Sequence, residues 1–391
     1  MNLIRYCRTI LLIIGLGIIA YSYHPNNFDI FGEVINDSYT KYIFAIIFSL
    51  LLLSIGSLRE GLSIKPIRTY SVITAVAFIS SLSLYAFNLT PKIYEIRSLV
   101  ICLIAMLLGA TLKLKNKDIV TICISYIIAI LWIGYLQITQ NIGDFVIEDL
   151  YISTAKNAFG PMIAMAGILS ILIMFSPNIN KLIKIFTFST AIISLLEIAT
   201  IRARLATIIY ITLLVFIVYK YLKSINANNN SYKQLVVVAI IIGAIFLSYS
   251  TSLHEYLWDS LTQNKEDDIT SGRMSAYYES IDVFTRSPFF GNLTLNEKIG
   301  WVHNYLLLKL SEYGIVFSLP LLTLFFYLVC IIITNIQRVS IFNPQFYGYI
   351  IIAISFLVSL GEPTFPYGPG TTNFLPFLLF GAALKYNYKL K

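Results

Sequence analysis

Runs of roughly 20 apolar residues recur along almost the whole of this 391-residue chain, and they limit its possible folds more than any other feature. A helix of about 20 residues is long enough to cross the hydrocarbon core of a bilayer. Hydrophobic residues make up 57% of the chain and charged residues only 12%, whereas soluble domains carry about 25% charged residues. The runs lack the alternation of barrel strands, so they predict an all-α, polytopic membrane protein.

The apolar runs predict a single membrane domain over 1–391 with about twelve transmembrane helices. We expect these helices near residues 5–23, 41–57, 70–87, 95–112, 119–139, 156–176, 184–201, 204–222, 234–253, 315–334, 345–362 and 371–388. A large polar loop at 254–314 should contain short amphipathic helices. Its last segment, 303–314, is too short to span and is predicted to lie on the membrane surface or to dip into it.

The predicted loops alternate in charge, which indicates their sides of the membrane. Basic loops contain Arg59, Lys65, Arg68, Lys113, Lys115, Lys117, Lys181, Lys184, Lys220, Lys223 and Lys233. Acidic loops contain Asp29, Glu33, Asp37, Asp144, Glu148, Asp149, Glu266, Asp267 and Asp268. Because basic loops stay in the cytoplasm, both termini are predicted to be cytoplasmic and the 254–314 loop to lie outside. This topology also explains the net charge of +8 without nucleic acid as a partner.

A few basic residues fall on the predicted outer side, against this rule. They are Arg97, Lys156, Arg202, Arg204, Arg273 and Arg286. One interpretation is that their side chains extend to lipid headgroups. The other is that they gather around an anionic ligand, since the planar guanidinium of arginine binds phosphate through two parallel hydrogen bonds.

One histidine and one acid are candidates for chemistry at the outer face. His303 precedes Asn304 at the predicted start of a helix, and histidine can act as a general base near neutral pH. Glu362 begins the Pro- and Gly-rich 361–370 loop and could pair with an outer arginine or bind sugar hydroxyls. The sequence contains no nucleotide-binding motif and no metal-ligand spacing, so neither cofactor nor metal is expected.

Two strings in the polar loop resemble a known family. The string R-x3-Y-x6-F-x3-P-x2-G comprises Arg273, Tyr277, Phe284, Pro288 and Gly291, and HN-x2-L-x4-E-Y-G comprises His303, Asn304, Leu307, Glu312, Tyr313 and Gly314. They resemble the large periplasmic loop of the O-antigen ligase/polymerase superfamily. Upstream, Asn157–Gly160 and Thr200–Ala203 resemble further family elements, although Ile201 replaces the usual hydroxyl residue. The resemblance covers the chain from about residue 155 to its end.

The resemblance implies a metal-independent glycosyltransferase of the GT-C type in the bacterial inner membrane, with a periplasmic active site. Because one base would assist displacement of a diphosphate with no covalent intermediate, we expect inversion at the anomeric carbon. The implied partners are an oligosaccharide linked to undecaprenyl diphosphate and membrane lipid, and a chain-length regulator is a candidate partner. The catalytic set expected is His303, Arg202 and Arg273, with Glu362 as the rival base. The substrate-binding set expected is Arg204, Asn304, Glu362, Arg97, Lys156, Arg286 and Tyr277.

Three functions remain open at this stage. The ending of the chain and the stretch after His303 favour an O-antigen polymerase over an O-antigen ligase, which would transfer lipid-linked glycan to the lipid A core. A lipid-linked sugar transporter is the alternative from a different class. A transporter should place charged residues along a cavity through several spans, whereas the charges here gather at one face.

Overall fold

The computed structural model of the protein describes residues 2–27, 38–86, 93–112, 114–141, 156–177, 179–201, 203–224, 273–297, 302–368 and 371–389. These ranges are helical apart from turns and short connections, and they contain no strand. Within these ranges, seven helices are long and apolar enough to cross a membrane, and four shorter apolar helices accompany them. The all-α, multi-pass prediction is therefore confirmed. The twelve-span count stays a prediction, because the predicted 234–253 span lies outside the described residues.

The described ranges contain fourteen α-helices. They are α1 Asn2–Tyr21, α2 Ser38–Ser54, α3 Leu58–Leu62, α4 Lys65–Ala86, α5 Ile93–Thr111, α6 Asn116–Asn141, α7 Lys156–Phe175, α8 Lys181–Thr200, α9 Arg204–Ser224, α10 Arg273–Arg286, α11 Asn292–Leu295, α12 Tyr305–Arg338, α13 Gln345–Val358 and α14 Phe374–Lys389. The α7 helix is central, because 83% of its most apolar stretch is buried. The α4 helix is peripheral, because only 28% of its most apolar stretch is buried.

Two glycines bring α5 and α14 into backbone contact. A Cβ atom added to Gly109 would lie 1.8 Å from the carbonyl oxygen of Leu378, and one added to Gly381 would lie 2.0 Å from that of Met106. Small residues allow such close approach between membrane helices, which associate by packing more than by the hydrophobic effect. This pairing fixes α14, and with it one end of the loop that contains Glu362.

The connection between α13 and α14 is held by Asn373. Its side-chain nitrogen donates a hydrogen bond to the carbonyl of Gly368 at 2.7 Å, and its Oδ1 accepts one from the Ser355 hydroxyl at 2.6 Å. All three side-chain and backbone groups are enclosed, since Asn373 and Ser355 are fully buried. Buried polar groups that are satisfied in this way hold a loop in one conformation.

Helix α12 is sharply kinked at Gly314, whose φ of 63° and ψ of −174° are not helical. The predicted start of a span at residue 315 coincides with this kink. Before it, the ring of Tyr305 stacks on that of Phe325, with 5.9 Å between centroids. Phe325 lies ten residues beyond Ile315, about 15 Å along the second segment. The 305–313 segment therefore folds back beside the span and reaches below the level at which the span begins.

The lower end of the 305–313 segment is attached to the end of α13. The amide of Tyr305 donates a hydrogen bond to the carbonyl of Ser359 at 3.0 Å. The rings of Phe325 and Phe356 lie 5.0 Å apart, on the same side of this junction. The residues before Tyr305 are therefore placed beside the Glu362 loop. That 303–314 lies on the membrane surface or dips into it stays a prediction.

Candidate functional site

A buried carboxylate lies at the centre of the candidate site. Glu362 is only 7% exposed, and its Oε1 atom lies 3.8 Å from Arg273 Nη2 and 3.8 Å from His303 Nδ1. Arg273 and His303 are more open, with side-chain exposures of 36% and 23%. These three residues come from separate stretches of the chain. The structure brings them together, with the more exposed Arg273 and His303 side chains on either side of the buried Glu362 carboxylate.

The backbone around His303 is held from several directions. Asn304 caps the 305–313 segment, because its Oδ1 accepts from the amide of Leu307 at 3.0 Å. The same side chain donates to the carbonyl of Leu360 at 3.2 Å, and the Tyr277 hydroxyl donates to the carbonyl of His303 at 2.9 Å. The imidazole is therefore positioned by its own main chain and by both neighbouring elements.

The two imidazole nitrogens of His303 have different surroundings. Nδ1 is buried, faces Glu362 and makes no hydrogen bond to any residue in the described parts of the chain. The ring places Nε2 on the other side, where it can meet a ligand. A separation of 3.8 Å from Glu362 exceeds a hydrogen bond, but such contacts often shorten when substrate binds.

Helix α10 contributes two of the site side chains from one face. Arg273 is its first residue, and Tyr277 follows one turn later, so the two side chains are neighbours on the helix surface. Burial raises the pKa of the Tyr277 phenol, an effect that Arg273 partly offsets and Glu362 increases. The phenol therefore stays protonated at neutral pH and can donate to the His303 carbonyl.

The turn between α8 and α9 lies against the Glu362 loop. A Cβ atom added to Gly361 would lie 2.8 Å from a methyl group of Leu205, at the start of α9. On the other side of the turn, a Cβ atom added to Gly160 would lie 2.5 Å from that of Ala203. The Asn157–Gly160 stretch thus packs on this turn, and the turn packs beside the candidate site.

Of the two arginines predicted at this turn, only Arg204 is among the described residues. Arg204 begins α9 and is half-buried, one residue before the contact between Leu205 and Gly361. Arg202 lies outside the described residues.

Other predicted site residues make contacts elsewhere. Arg286 forms a bidentate pair with Glu297, at 2.6 and 2.7 Å, and lies 2.8 Å from Asp282. Donation from Arg286 lowers the pKa of Glu297 below its ordinary value. The guanidinium of Arg97 lies 5.1 Å from the ring centroid of Phe44.

The remaining predicted residue, Lys156, begins α7, but its side chain is not described. The site is therefore defined by Arg273, Tyr277, His303, Asn304 and Glu362. We call these five residues the Glu362 site.

A contact between two glycines supports this site and was not predicted. Gly291 and Gly314 both have positive φ values, 58° and 63°. A Cβ atom added to Gly291 would lie 2.5 Å from the nitrogen of Gly314, and one added to Gly314 would lie 2.4 Å from the backbone of Phe289. Both glycines stand in the motif strings, but their spacing alone gives no sign that they touch.

The glycine contact is reinforced by two backbone hydrogen bonds. The amides of Ile315 and Val316 donate to the carbonyls of Pro288 and Phe289, at 2.9 and 3.1 Å. The connection after α10 is thereby fixed to the top of the α12 span. Because α10 carries Arg273 while the segment before Gly314 follows His303, this junction sets the distance between the two halves of the site.

The Glu362 site combines a partly exposed histidine, a buried carboxylate and a partly exposed guanidinium. This set can accept a proton and bind an anion at neighbouring positions. Among the described residues, no group of three or more His, Cys, Asp or Glu side chains is placed to hold a metal ion. No protein-family model matches the sequence, and no curated protein matches it either.

Proposed function

We propose that this chain is a glycosyltransferase of the O-antigen ligase/polymerase superfamily, and that it acts as an O-antigen polymerase. It joins oligosaccharide repeat units linked to undecaprenyl diphosphate at the periplasmic face of the bacterial inner membrane. The observation that carries the proposal is the convergence of Arg273 and His303 on Glu362. The two motif strings that resemble the family contribute the first two of these residues.

His303 is the general base of the proposed reaction. Its Nε2 atom accepts the proton of the acceptor sugar hydroxyl as that oxygen attacks the anomeric carbon of the donor. The proton on Nδ1 stays on the ring and points toward Glu362 Oε1. The negative charge of Glu362 compensates the positive charge of the imidazolium. Glu362 is a poorer candidate for the base because it is buried and its Oε1 already faces both Arg273 and His303.

The leaving group is undecaprenyl diphosphate, which departs with the electrons of the broken bond to the anomeric carbon. One new carbon–oxygen bond forms on the opposite face, so the configuration at the anomeric carbon is inverted. The departing diphosphate needs cationic partners. Arg273 supplies one, and Arg204 lies one residue before Leu205, which contacts the Glu362 loop at Gly361. Arg202 is proposed as a further partner of the diphosphate. Guanidinium groups can meet its oxygens through paired hydrogen bonds.

The position of the site along the helices supports a lipid-linked donor. The stacking of Tyr305 on Phe325 puts the start of the 305–313 segment beside the α12 span, about 15 Å along that helix from Ile315. A donor whose diphosphate is attached to a membrane-embedded chain presents its reacting carbon close to the bilayer. A site beside a membrane-spanning helix is suited to such a donor.

The glycan of a deletion strain tests the proposal. Loss of a polymerase leaves a single repeat unit on the lipid core, and a plasmid copy of the natural chain restores the ladder of longer chains. Complementation with His303→Ala should restore nothing. Glu60→Gln is the matched control, because Glu60 is an exposed carboxylate paired with Lys385 at 3.3 Å. Long lipid-linked chains with none on the core would instead indicate a ligase, and unchanged glycan would exclude both activities.

A further inference from the structure

Helix α10 has two exposed flanks of opposite character beside its buried face. The buried face consists of Ala276, Ser280 and Val283. One exposed flank is apolar and consists of Met274, Tyr278 and Ile281, which are 42%, 66% and 47% exposed. Because successive residues turn by about 100° around a helix, positions spaced by four and three fall on one stripe. The apolar stripe is thus a continuous surface that the described parts of the chain leave partly exposed.

The other exposed flank of α10 is charged. Glu279, Asp282 and Arg286 are spaced by three and four residues, and all three are exposed. The ion pairs of Arg286 with Asp282 and with Glu297 keep these groups on that flank. The helix therefore separates apolar and charged surface along its whole length, a pattern typical of helices that lie at the boundary between lipid and water.

The apolar stripe is continued by the turn after α10. Phe289 and Phe290 are 63% and 45% exposed. Their backbone is bonded to the first residues of the α12 span, as the Val316 amide donates to the Phe289 carbonyl at 3.1 Å. Two side chains of that span, Ile315 and Leu319, are themselves 42% and 55% exposed. Exposed apolar surface of this kind marks a contact with a membrane or a protein, and its continuity with a membrane-spanning helix favours lipid.

We propose that α10 and the Phe289–Phe290 turn contact phospholipid of the outer leaflet. The flank formed by Met274, Tyr278 and Ile281 faces lipid along the length of α10, from the level of the Glu362 site to that of Ile315, and the charged flank faces away from lipid. The partner of this surface is phospholipid, argued from its continuity with the lipid-facing side of α12. This inference does not depend on the proposed reaction. Its consequence is that the bilayer supports the helix that positions Arg273.

Spin labels on neighbouring positions of α10 test the proposal. Single cysteines at 278, 281 and 282 are introduced after Cys7→Ser and Cys330→Ser, which remove the two exposed natural cysteines while the buried Cys102 and Cys123 remain. Each labelled full-length protein is placed in vesicles of phosphatidylethanolamine and phosphatidylglycerol. Collision rates are then measured with oxygen, which concentrates in lipid, and with a water-soluble nickel chelate. All three positions are exposed, so the labels displace no buried contact.

We expect labels at 278 and 281 to collide several-fold more with oxygen than with the nickel chelate, and the label at 282 to show the reverse preference. A label at 316, on the exposed side of the α12 span, gives the lipid reference value. Nickel access at 278 equal to that at 282 would place the stripe in water and overturn the proposal. Low access of both reagents at 278 and 281 would mean that a protein covers the stripe, which overturns it equally.

Discussion

The Oε1 atom of Glu362 lies 3.8 Å from Nδ1 of His303, so the two ring nitrogens of that histidine have different surroundings. Nδ1 faces a buried carboxylate, and Nε2 lies on the opposite side of the ring. The arrangement is similar to that in enzymes whose histidine base is oriented by an acid on the far side of the ring. In the proposed reaction, a proton taken at Nε2 would leave a positive charge next to the negative charge of Glu362.

Replacement of His303 should remove almost all polymer. General-base catalysis contributes about 10² to 10⁴ in rate, so His303→Ala and His303→Gln should both lower turnover by that range. Glutamine keeps a hydrogen-bonding group but cannot accept the proton. The measurement is the rate of chain extension by purified protein supplied with lipid-linked repeat units. A His303→Gln enzyme of normal rate would show that His303 only positions the substrate.

Replacement of Glu362 by glutamine should lower the turnover number by about 10² to 10⁴, while the Michaelis constant for the donor changes less. The amide keeps the shape of the side chain but cannot balance the imidazolium charge. Glu60→Gln is the control, and it should leave both constants unchanged. An inactive Glu362→Gln enzyme beside an active His303→Gln enzyme would assign the base to Glu362 and contradict the mechanism.

Arg273→Lys should cost most of the activity although the charge is kept. A lysine ammonium cannot make the paired hydrogen bonds of a guanidinium, and loss of one such group at a transition state lowers turnover by about 10² to 10³. Arg202→Lys should behave similarly if the turn before α9 shares the diphosphate. The exposed Arg338, at the far end of α12, provides the matched Arg→Lys control. Normal polymer ladders from both Arg273→Lys and Arg202→Lys would place the diphosphate elsewhere.

Tyr277→Phe should lower stability most at neutral pH and least at high pH. The phenol donates to the His303 carbonyl, a bond whose loss costs about 1 kcal/mol. Since burial raises its pKa, the contribution is complete below about pH 10 and is lost as the pH rises through the raised value. Thermal unfolding of both proteins between pH 7 and 11 measures the difference. A gap between the proteins that widens with pH would contradict this sign.

Gly314→Ala should destabilise the protein strongly. Its positive φ alone costs a non-glycine residue about 1 to 3 kcal/mol, and the added Cβ atom would overlap the Phe289 backbone at 2.4 Å. Gly17→Ala is the control, since an added Cβ atom there has nothing within 4 Å, and alanine favours the helix. Melting temperatures in detergent should fall for Gly314→Ala and not for Gly17→Ala. Equal melting temperatures would remove the structural role of the glycine contact.

The helices were largely predictable because hydropathy is a local property. The predicted span at 204–222 corresponds to α9, Arg204–Ser224, and the predicted start at 315 falls next to the Gly314 kink. Arg273, His303 and Glu362 were each named from the sequence. Their convergence was not predictable, because it depends on the 305–313 segment folding back beside its own span, which is decided by tertiary packing.

Helical periodicity alone is enough to separate Arg286 from Arg273. Arg286 lies thirteen residues after Arg273 on α10, which corresponds to about 220° around a helix. Two side chains so far apart around the axis cannot face one ligand. The periodicity alone therefore separates Arg273, which faces Glu362, from Arg286, which pairs with Glu297 eleven residues further on.

The contact between Gly291 and Gly314 has a consequence for how such a chain can change over generations. Most touching residues can vary together, because a larger side chain on one side is balanced by a smaller one on the other. Here neither position accepts even a methyl group, since each would meet the main chain opposite. No compensating pair exists, so related sequences would show no correlated substitutions at these two positions. The junction that sets the distance between Arg273 and His303 would be marked only by two glycines that never vary.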